Sequence, residues 1–318
     1  MGYNHCDICV IGAGMAGLAC ATRLAEAGLL IAVVDKGRGP GGRMAARRTE
    51  IAGEVVSFDH GAQYFTARDP EFGAAVGEWE AQGVVAPWPA AGEGAYVGIP
   101  GMNGPIRAMA QDLKVHWNTR AEKIVRSGAR WRIEAGDTAF SAKTVLLAIP
   151  AEQATELLAD VSSPLAKIAS EAVSAPCWAV MAGFDAPLEV ETDTLRDPEA
   201  PISWAARNSA KPSRSGSECW VLHASPERSR ELVDLAKEEV GPILLEDFFA
   251  QTGAEAVTPI HLAAHRWLYA MVQAVDGEPA RFDDELCIGI AGDYLHSPRV
   301  EGAWLSGVAL AEKVLAPA

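Results

Sequence analysis

Between residues 8 and 35 an apolar tetrapeptide, Ile8–Ile11, runs into Gly12-Ala13-Gly14-Met15-Ala16-Gly17. An alanine- and leucine-rich stretch follows, then a second apolar run over 30–34 that ends at Asp35. Strand, glycine turn, helix, strand and acid in this order form a βαβ unit, which commits the chain to an α/β fold with a parallel sheet. Each glycine has its own task. Gly12 makes the tight turn, Gly14 lets the backbone approach a pyrophosphate, and Gly17 lets the helix lie against the strand. The helix start offers unpaired N–H groups and about half a positive charge to phosphates. Asp35, with Lys36 beside it, is placed to accept ribose hydroxyls. Residues 12–17, Asp35 and Lys36 are therefore expected to bind a dinucleotide. The motif alone does not separate NAD from FAD.

At 318 residues the chain can bury a large core and form two domains, or one with a sizeable insertion. Its formal net charge of −15 argues against sequence-independent nucleic-acid binding, which depends on Lys and Arg neutralising phosphates. The start of the chain lacks the pattern of a secretory signal. Its longest uncharged run, 8–22, is glycine-rich and shorter than the roughly twenty residues that a membrane span needs. Six scattered cysteines suit a reducing cytoplasm. The pair in Cys6-Asp7-Ile8-Cys9 falls in a strand rather than at a helix start, so it is read as structural. No metal site is predicted.

Further stretches suit a backbone lying close to a ligand. Lys36-Gly37-Arg38-Gly39-Pro40-Gly41-Gly42-Arg43-Met44 offers adjacent glycines and an arginine able to pair with phosphate. Asp59-His60-Gly61-Ala62-Gln63-Tyr64-Phe65 places small residues between polar and aromatic ones. Residues 121–126 and 131–135 alternate as a β-hairpin or meander, and 143–150 reads as a buried strand. From 152 to 172 two short helices are parted at Ser162-Ser163-Pro164. Strands are expected over 177–184, 202–206, 219–223 and 260–270. An amphipathic stretch over 226–251 is expected to break at Gly241-Pro242.

The order GAGMAG, GPGGRM, DHGAQYF, KTVLLAIP and AGDYLHSPRVEGAWLSG resembles the flavin-dependent amine oxidase superfamily. GAQYFTARD, VGIPGMN, SWAARNSAKPSR, CWVLHAS and AHRWLYA are similar to the bacterial branch of the renalase family within it. The resemblance implies a Rossmann-type FAD-binding domain of the amine oxidase/glutathione reductase kind, with an inserted α+β substrate domain on an antiparallel sheet. The boundaries are 1–72, 101–151 and 283–318 for FAD, and 73–100 with 152–282 for substrate. It further implies non-covalent FAD, since no cysteine follows Ser306-Gly307. Arg43 and Gly42 would lie by the pyrophosphate, Ile124 by the adenine, and His60, Gly61, Ala62 and Gln63 along the isoalloxazine. Gly292 and Asp293 would meet the ribityl–phosphate region. Val300, Glu301, Gly302 and Ala303 would open a helix facing the pyrimidine edge, small so that the ring can approach.

The resemblance implies oxidation of 2-dihydro- or 6-dihydro-NAD(P) isomers to NAD(P)+, with dioxygen giving hydrogen peroxide. An amine or polyamine oxidase and a non-enzymatic binding protein of the GDP-dissociation-inhibitor type are the alternatives. Pocket candidates are Tyr64, Trp204, His265, Arg266 and Trp267, with Arg207, His223 and Tyr269 behind them. In a strand, His265 and Trp267 share one face and Arg266 takes the other, and the first pair is preferred. The lysine that many amine oxidases hold near flavin N5 has no evident counterpart. Arg47-Arg48 and Lys211 with Arg214 are read as solvated surface.

Overall fold

The computed structural model describes residues 4–161, 163–214 and 216–317; Ser162, in the expected helix break, lies outside the described residues. The central sheet has the strand order Ala280–Asp283, Ile288–Ala291, Thr144–Leu147, Ile8–Ile11, Ile31–Val34, Val115–His116. Every neighbouring pair is parallel except the first. Ile8–Ile11, Ile31–Val34 and Ile288–Ala291 are buried at every position, as a sheet covered on both faces requires. Helices Met15–Glu26 and Val300–Leu315 cover one face. A meander of Lys123–Ser127, Arg130–Ala135 and Thr138–Ala142 covers the other, together with helix Ala151–Leu158. The first and last helices meet at Gly307, where a Cβ would lie 2.1 Å from the Ala16 carbonyl oxygen.

A second sheet is antiparallel, in the order Thr194–Arg196, Ile202–Arg207, Glu218–Ala224, Val173–Phe184, His261–Gln273. One of its faces is sealed by helix Lys237–Thr252 through Trp178, Phe184, Trp220 and Phe248. The other meets the hairpin Ala46–Ile51 and Glu54–Asp59 and leaves the remainder facing a cavity. This is the expected Rossmann-type α/β fold with an inserted antiparallel α+β unit.

Some boundaries differ from expectation. Residues 73–100, assigned by sequence to the substrate domain, join the apolar cluster of the nucleotide-binding fold. Helix Pro70–Ala81 turns Phe72 onto Trp304 of the last helix, with ring centroids 5.4 Å apart. The strand Ala280–Asp283 likewise brings residues ahead of 283 into the central sheet. Pro242 does not break its helix. Lys237–Thr252 begins only five residues upstream, so the missing N–H costs one bond in an exposed first turn, to the carbonyl of exposed Glu238. No helix among the described residues is long and apolar enough to cross a membrane.

Candidate active site

One cavity of about 2530 Å³ runs from Asp35 and Ala121, past the glycine turn, to the open face of the antiparallel sheet. Ligand sites usually occupy roughly 300–1,000 Å³, so this space holds a dinucleotide with room for a second ligand beside it. At the nucleotide end, Gly12 takes φ +107°, and a Cβ there would lie 2.4 Å from the Ala148 carbonyl oxygen. A Cβ on Gly14 would meet nothing within 4 Å, because that side opens onto the cleft. Gly42, at φ +53°, faces Gly14 across the gap. Asp35 accepts the Ala13 and Gly37 N–H groups at 2.7 and 2.6 Å, bracing the turn from the ribose end. The last helix presents Val300, Glu301 and Ala303 to the cavity, and its N-cap Arg299 makes no side-chain cap. Its first-turn N–H groups are therefore free to face an anion. A diphosphate and an extended ring system fit this groove.

Met15, Ala16, Lys36, Arg43, His60, Gly61, Ala62, Gln63, Gly292 and Asp293 also line it. Four expected contacts do not. Ala13 is buried, with its N–H committed to Asp35. Gly17 is excluded because its α-carbon sits against Gly12, where a Cβ would come 1.9 Å from the carbonyl oxygen. Ile124 belongs to the core under the meander, and Ala121 and Glu122 stand on the wall instead. Gly302 is small because Ser297 packs on it, with the carbonyl oxygen 2.3 Å from a Cβ, and not because a ring approaches. Two charged residues also bind protein rather than open space. Arg43 pairs with Asp293, and Glu301 accepts the Arg68 and Asp69 N–H groups at 2.6 and 2.8 Å.

Over the other end of the cavity, Arg196, Trp204, His223, Ala179 and His265 are successive cross-strand partners. Directly paired residues share a face, and all but Ala179 line the cavity. Trp267 joins them two residues beyond His265. His60 meets this roof from below, with its ring 5.0 Å from His265 and 5.2 Å from Trp267. Trp267 Nε1 donates to the His60 carbonyl at 2.8 Å. Tyr64 and Trp204 form a second tilted pair, 5.2 Å apart. Tyr64, Trp204, His265 and Trp267 are thus brought together. Arg266 is not among them: it touches the cavity rim, but its guanidinium stacks over Trp178 at 5.6 Å and donates to the Val233 carbonyl. Arg207 is held by Asp193 and Glu218, away from the cavity. Burial pushes His60 and His223 down to about 4 and also lowers His265, so the chamber carries neutral imidazoles near neutral pH.

Behind this chamber lies a group that sequence reasoning missed. Lys211 and Arg214 are buried, and both pair with Asp59, at 3.3 and 2.6 Å. Lys211 Nζ also donates to Gln63 Oε1 at 3.0 Å and stands 5.0 Å from the Trp88 ring centre. Asp59 also accepts the Met102 N–H at 2.8 Å, while Arg214 Nε is buried without a partner. The only local hint was an acid closing an apolar strand, and its partners are more than 150 residues away. Arg47 and Arg48 are exposed as expected. Cys6 and Cys9 are buried, and their thiols are raised by burial, Cys6 to about 11.

Known proteins share both halves of this arrangement. An NAD(P)-binding Rossmann-like domain model matches residues 10–79, and a model of flavin containing amine oxidoreductases matches residues 88–315. Among solved structures, a protein assigned as a protoporphyrinogen oxidase from Exiguobacterium sp. 255-15 superposes with a TM-score of 0.77 at 13% identity, over 99% of both chains. Wild-type putrescine oxidase bound to putrescine gives 0.72 at 16% identity, over 99% of this chain and 100% of that one. Cyclohexylamine oxidase from Brevibacterium oxydans IH-35A gives 0.65 at 12%, over 97% and 98%. Identities this low show a common fold and leave the substrate open. The second family model, by contrast, spans well over half the sequence: the chain belongs to the flavin containing amine oxidoreductases, and its cofactor is FAD.

Proposed function

We propose that this flavin-dependent oxidoreductase oxidises 2-dihydro- or 6-dihydro-NAD(P) isomers to NAD(P)+. One observation carries the reading. The acids on the cavity wall are Asp35, Glu122, Glu156, Asp293 and Glu301, all on the nucleotide-binding half. The hairpin and the antiparallel sheet contribute Arg47, Arg48 and Arg196, with Arg266 at the rim turned to Trp178, and no carboxylate among the described lining residues. No ion pair among the described residues engages Arg47, Arg48 or Arg196. Such a chamber attracts a phosphorylated guest and offers an ammonium ion no counter-charge.

FAD, when bound, supplies the hydride acceptor and, with dioxygen, a route to hydrogen peroxide. The chain supplies positioning. Tyr64 with Trp204 and His265 with Trp267 give flat faces for a planar ring. Oxidising a dihydropyridine to an aromatic pyridinium needs no base, which suits three imidazoles kept neutral by burial. A reducing cytoplasm, where such nucleotides occur, fits the chain's free thiols.

Amine oxidation is the second reading, supported by the family match. A binding protein without catalysis is set aside with the family assignment. Anaerobic mixing with each dihydronicotinamide isomer and with simple amines separates the two enzymatic readings. Flavin bleaching by a dihydronicotinamide is expected; bleaching by amines alone would overturn the proposal.

A further inference from the structure

Gln63 lies between the buried ion cluster and the substrate chamber, and its amide has no freedom left. Its Oε1 accepts from Lys211 Nζ at 3.0 Å. Its Nε2 donates to the Asp59 carbonyl and, at 3.1 Å, to the Gly61 carbonyl, and it faces His223 Nε2 at 3.4 Å. An ammonium has donors only, so the oxygen of Gln63 must point toward Lys211 and its NH2 toward His223. The NH2 has two hydrogens, one given to the Asp59 carbonyl and one shared between the Gly61 carbonyl and His223 Nε2. An amide nitrogen accepts no proton, so Nε2 faces it with its lone pair and the neutral ring carries its proton on Nδ1. The His60 backbone also hydrogen-bonds the ring. His223 in turn sits in the cross-strand row between Trp204 and Ala179, on the cavity wall.

We propose that Lys211 is a positioning residue for the chamber: acting through Gln63, it holds His223 in the neutral Nδ1–H tautomer. Lys211 touches no part of the cavity and is fully buried, so its effect passes through the amide. The titratable groups around it are Asp59, Arg214 and the neutral His223 ring, with the Trp88 face opposite. Burial pushes Lys211 down to about 8, opposed by Asp59 and reinforced by Arg214. It therefore remains largely an ammonium at pH 7, which is the form that dictates the amide's direction. So held, His223 presents an uncharged ring to whatever lies beneath the sheet.

The test reads the tautomer, not turnover, and so stands apart from the choice of substrate. Imidazole 15N chemical shifts are recorded on the FAD-loaded protein at pH 7, with His223→Gln identifying the resonances. Wild type is expected to show Nδ1–H. Lys211→Met frees the amide to turn and is expected to give a mixture or Nε2–H. Gln63→Glu keeps Lys211 paired but presents a carboxylate to His223, and is expected to give Nε2–H outright. Nε2–H in wild type would overturn the proposal. So would an unchanged tautomer in Gln63→Glu, which decides the matter even where Lys211→Met fails to fold.

Discussion

Arg43 grips the carboxylate of Asp293 through two hydrogen bonds of 2.8 and 2.6 Å, joining residues 250 positions apart across the cleft. The geometry is bidentate, the strong form of such a pair. Asp293 is only 8% exposed, whereas the arginine side chain is 36% exposed. Its guanidinium thus serves the protein first and has an outer edge left for a phosphate.

Removing the arginine strands a buried carboxylate. Arg43→Ala is expected to cost about 2–3 kcal/mol of stability, less than the roughly 3–5 kcal/mol of a fully buried pair, because the arginine is partly solvated. It should also release FAD on dialysis. Arg43→Ala combined with Asp293→Asn should recover part of the stability but not the flavin. Thermal unfolding with and without FAD checks both, and full flavin retention in Arg43→Ala would refute the phosphate role.

The glycine turn separates ligand effects from folding effects. Gly14 sits at φ −84° with open space on its Cβ side, so Gly14→Val should leave apo-protein unfolding nearly unchanged while abolishing flavin binding. Gly17→Ala, with its Cβ driven into the Gly12 carbonyl, should destabilise the apo-protein strongly by pushing the first helix off the central strand Ile8–Ile11. Circular dichroism and bound-flavin absorbance on both variants distinguish the two. Loss of structure in Gly14→Val would contradict the assignment of that side to the ligand.

Charge reversal at the rim probes the substrate. Arg47→Glu and Arg196→Glu should each lower kcat/KM for a dihydronicotinamide dinucleotide by about ten- to a hundredfold, taking about 1.5–3 kcal/mol for a hydrogen bond to a charged group. Flavin content should stay constant, and the wild-type rate should fall with added salt. Steady-state kinetics at two ionic strengths supplies the check. An increase in dinucleotide turnover in either variant would argue for a cationic substrate.

Two buried imidazoles impose an acid limit. His60 and His223 titrate near 4 in the fold and near 6.5 when unfolded. Between these values the unfolded chain binds more protons, so stability should fall as pH drops from about 6.5 toward 4 and stay level just above that window. Urea midpoints at pH 7, 6 and 5 follow the loss, and His60→Gln should flatten its slope. A wild-type midpoint unchanged down to pH 5 would count against burial as the cause.

The sequence was most legible where local chemistry dictates structure. Gly12, Gly14 and Asp35 had to sit as they do because a βαβ turn leaves no other backbone path. The parity of His265, Arg266 and Trp267 followed from strand geometry alone. Lys211 and Arg214 escaped because a lysine and an arginine in a Pro- and Ser-rich segment ordinarily face water. Only the meeting with Asp59, created by tertiary packing, makes their burial tolerable. Gly302 misled for a related reason: a required glycine says that something comes close, not what, and here the neighbour is Ser297.

The contact of Gly307 with Ala16 bears on how the holoprotein comes into being. The helix carrying Gly307 also supplies Val300, Glu301 and Ala303 to the cofactor cleft, while Ala16 belongs to the first helix synthesised. A nascent chain stopped short of residue 300 has the glycine turn and the facing Gly42 but lacks the wall that Val300, Glu301 and Ala303 supply. Loading of the flavin must therefore wait until translation has passed that point, and a prematurely terminated product will be colourless however well its first half folds.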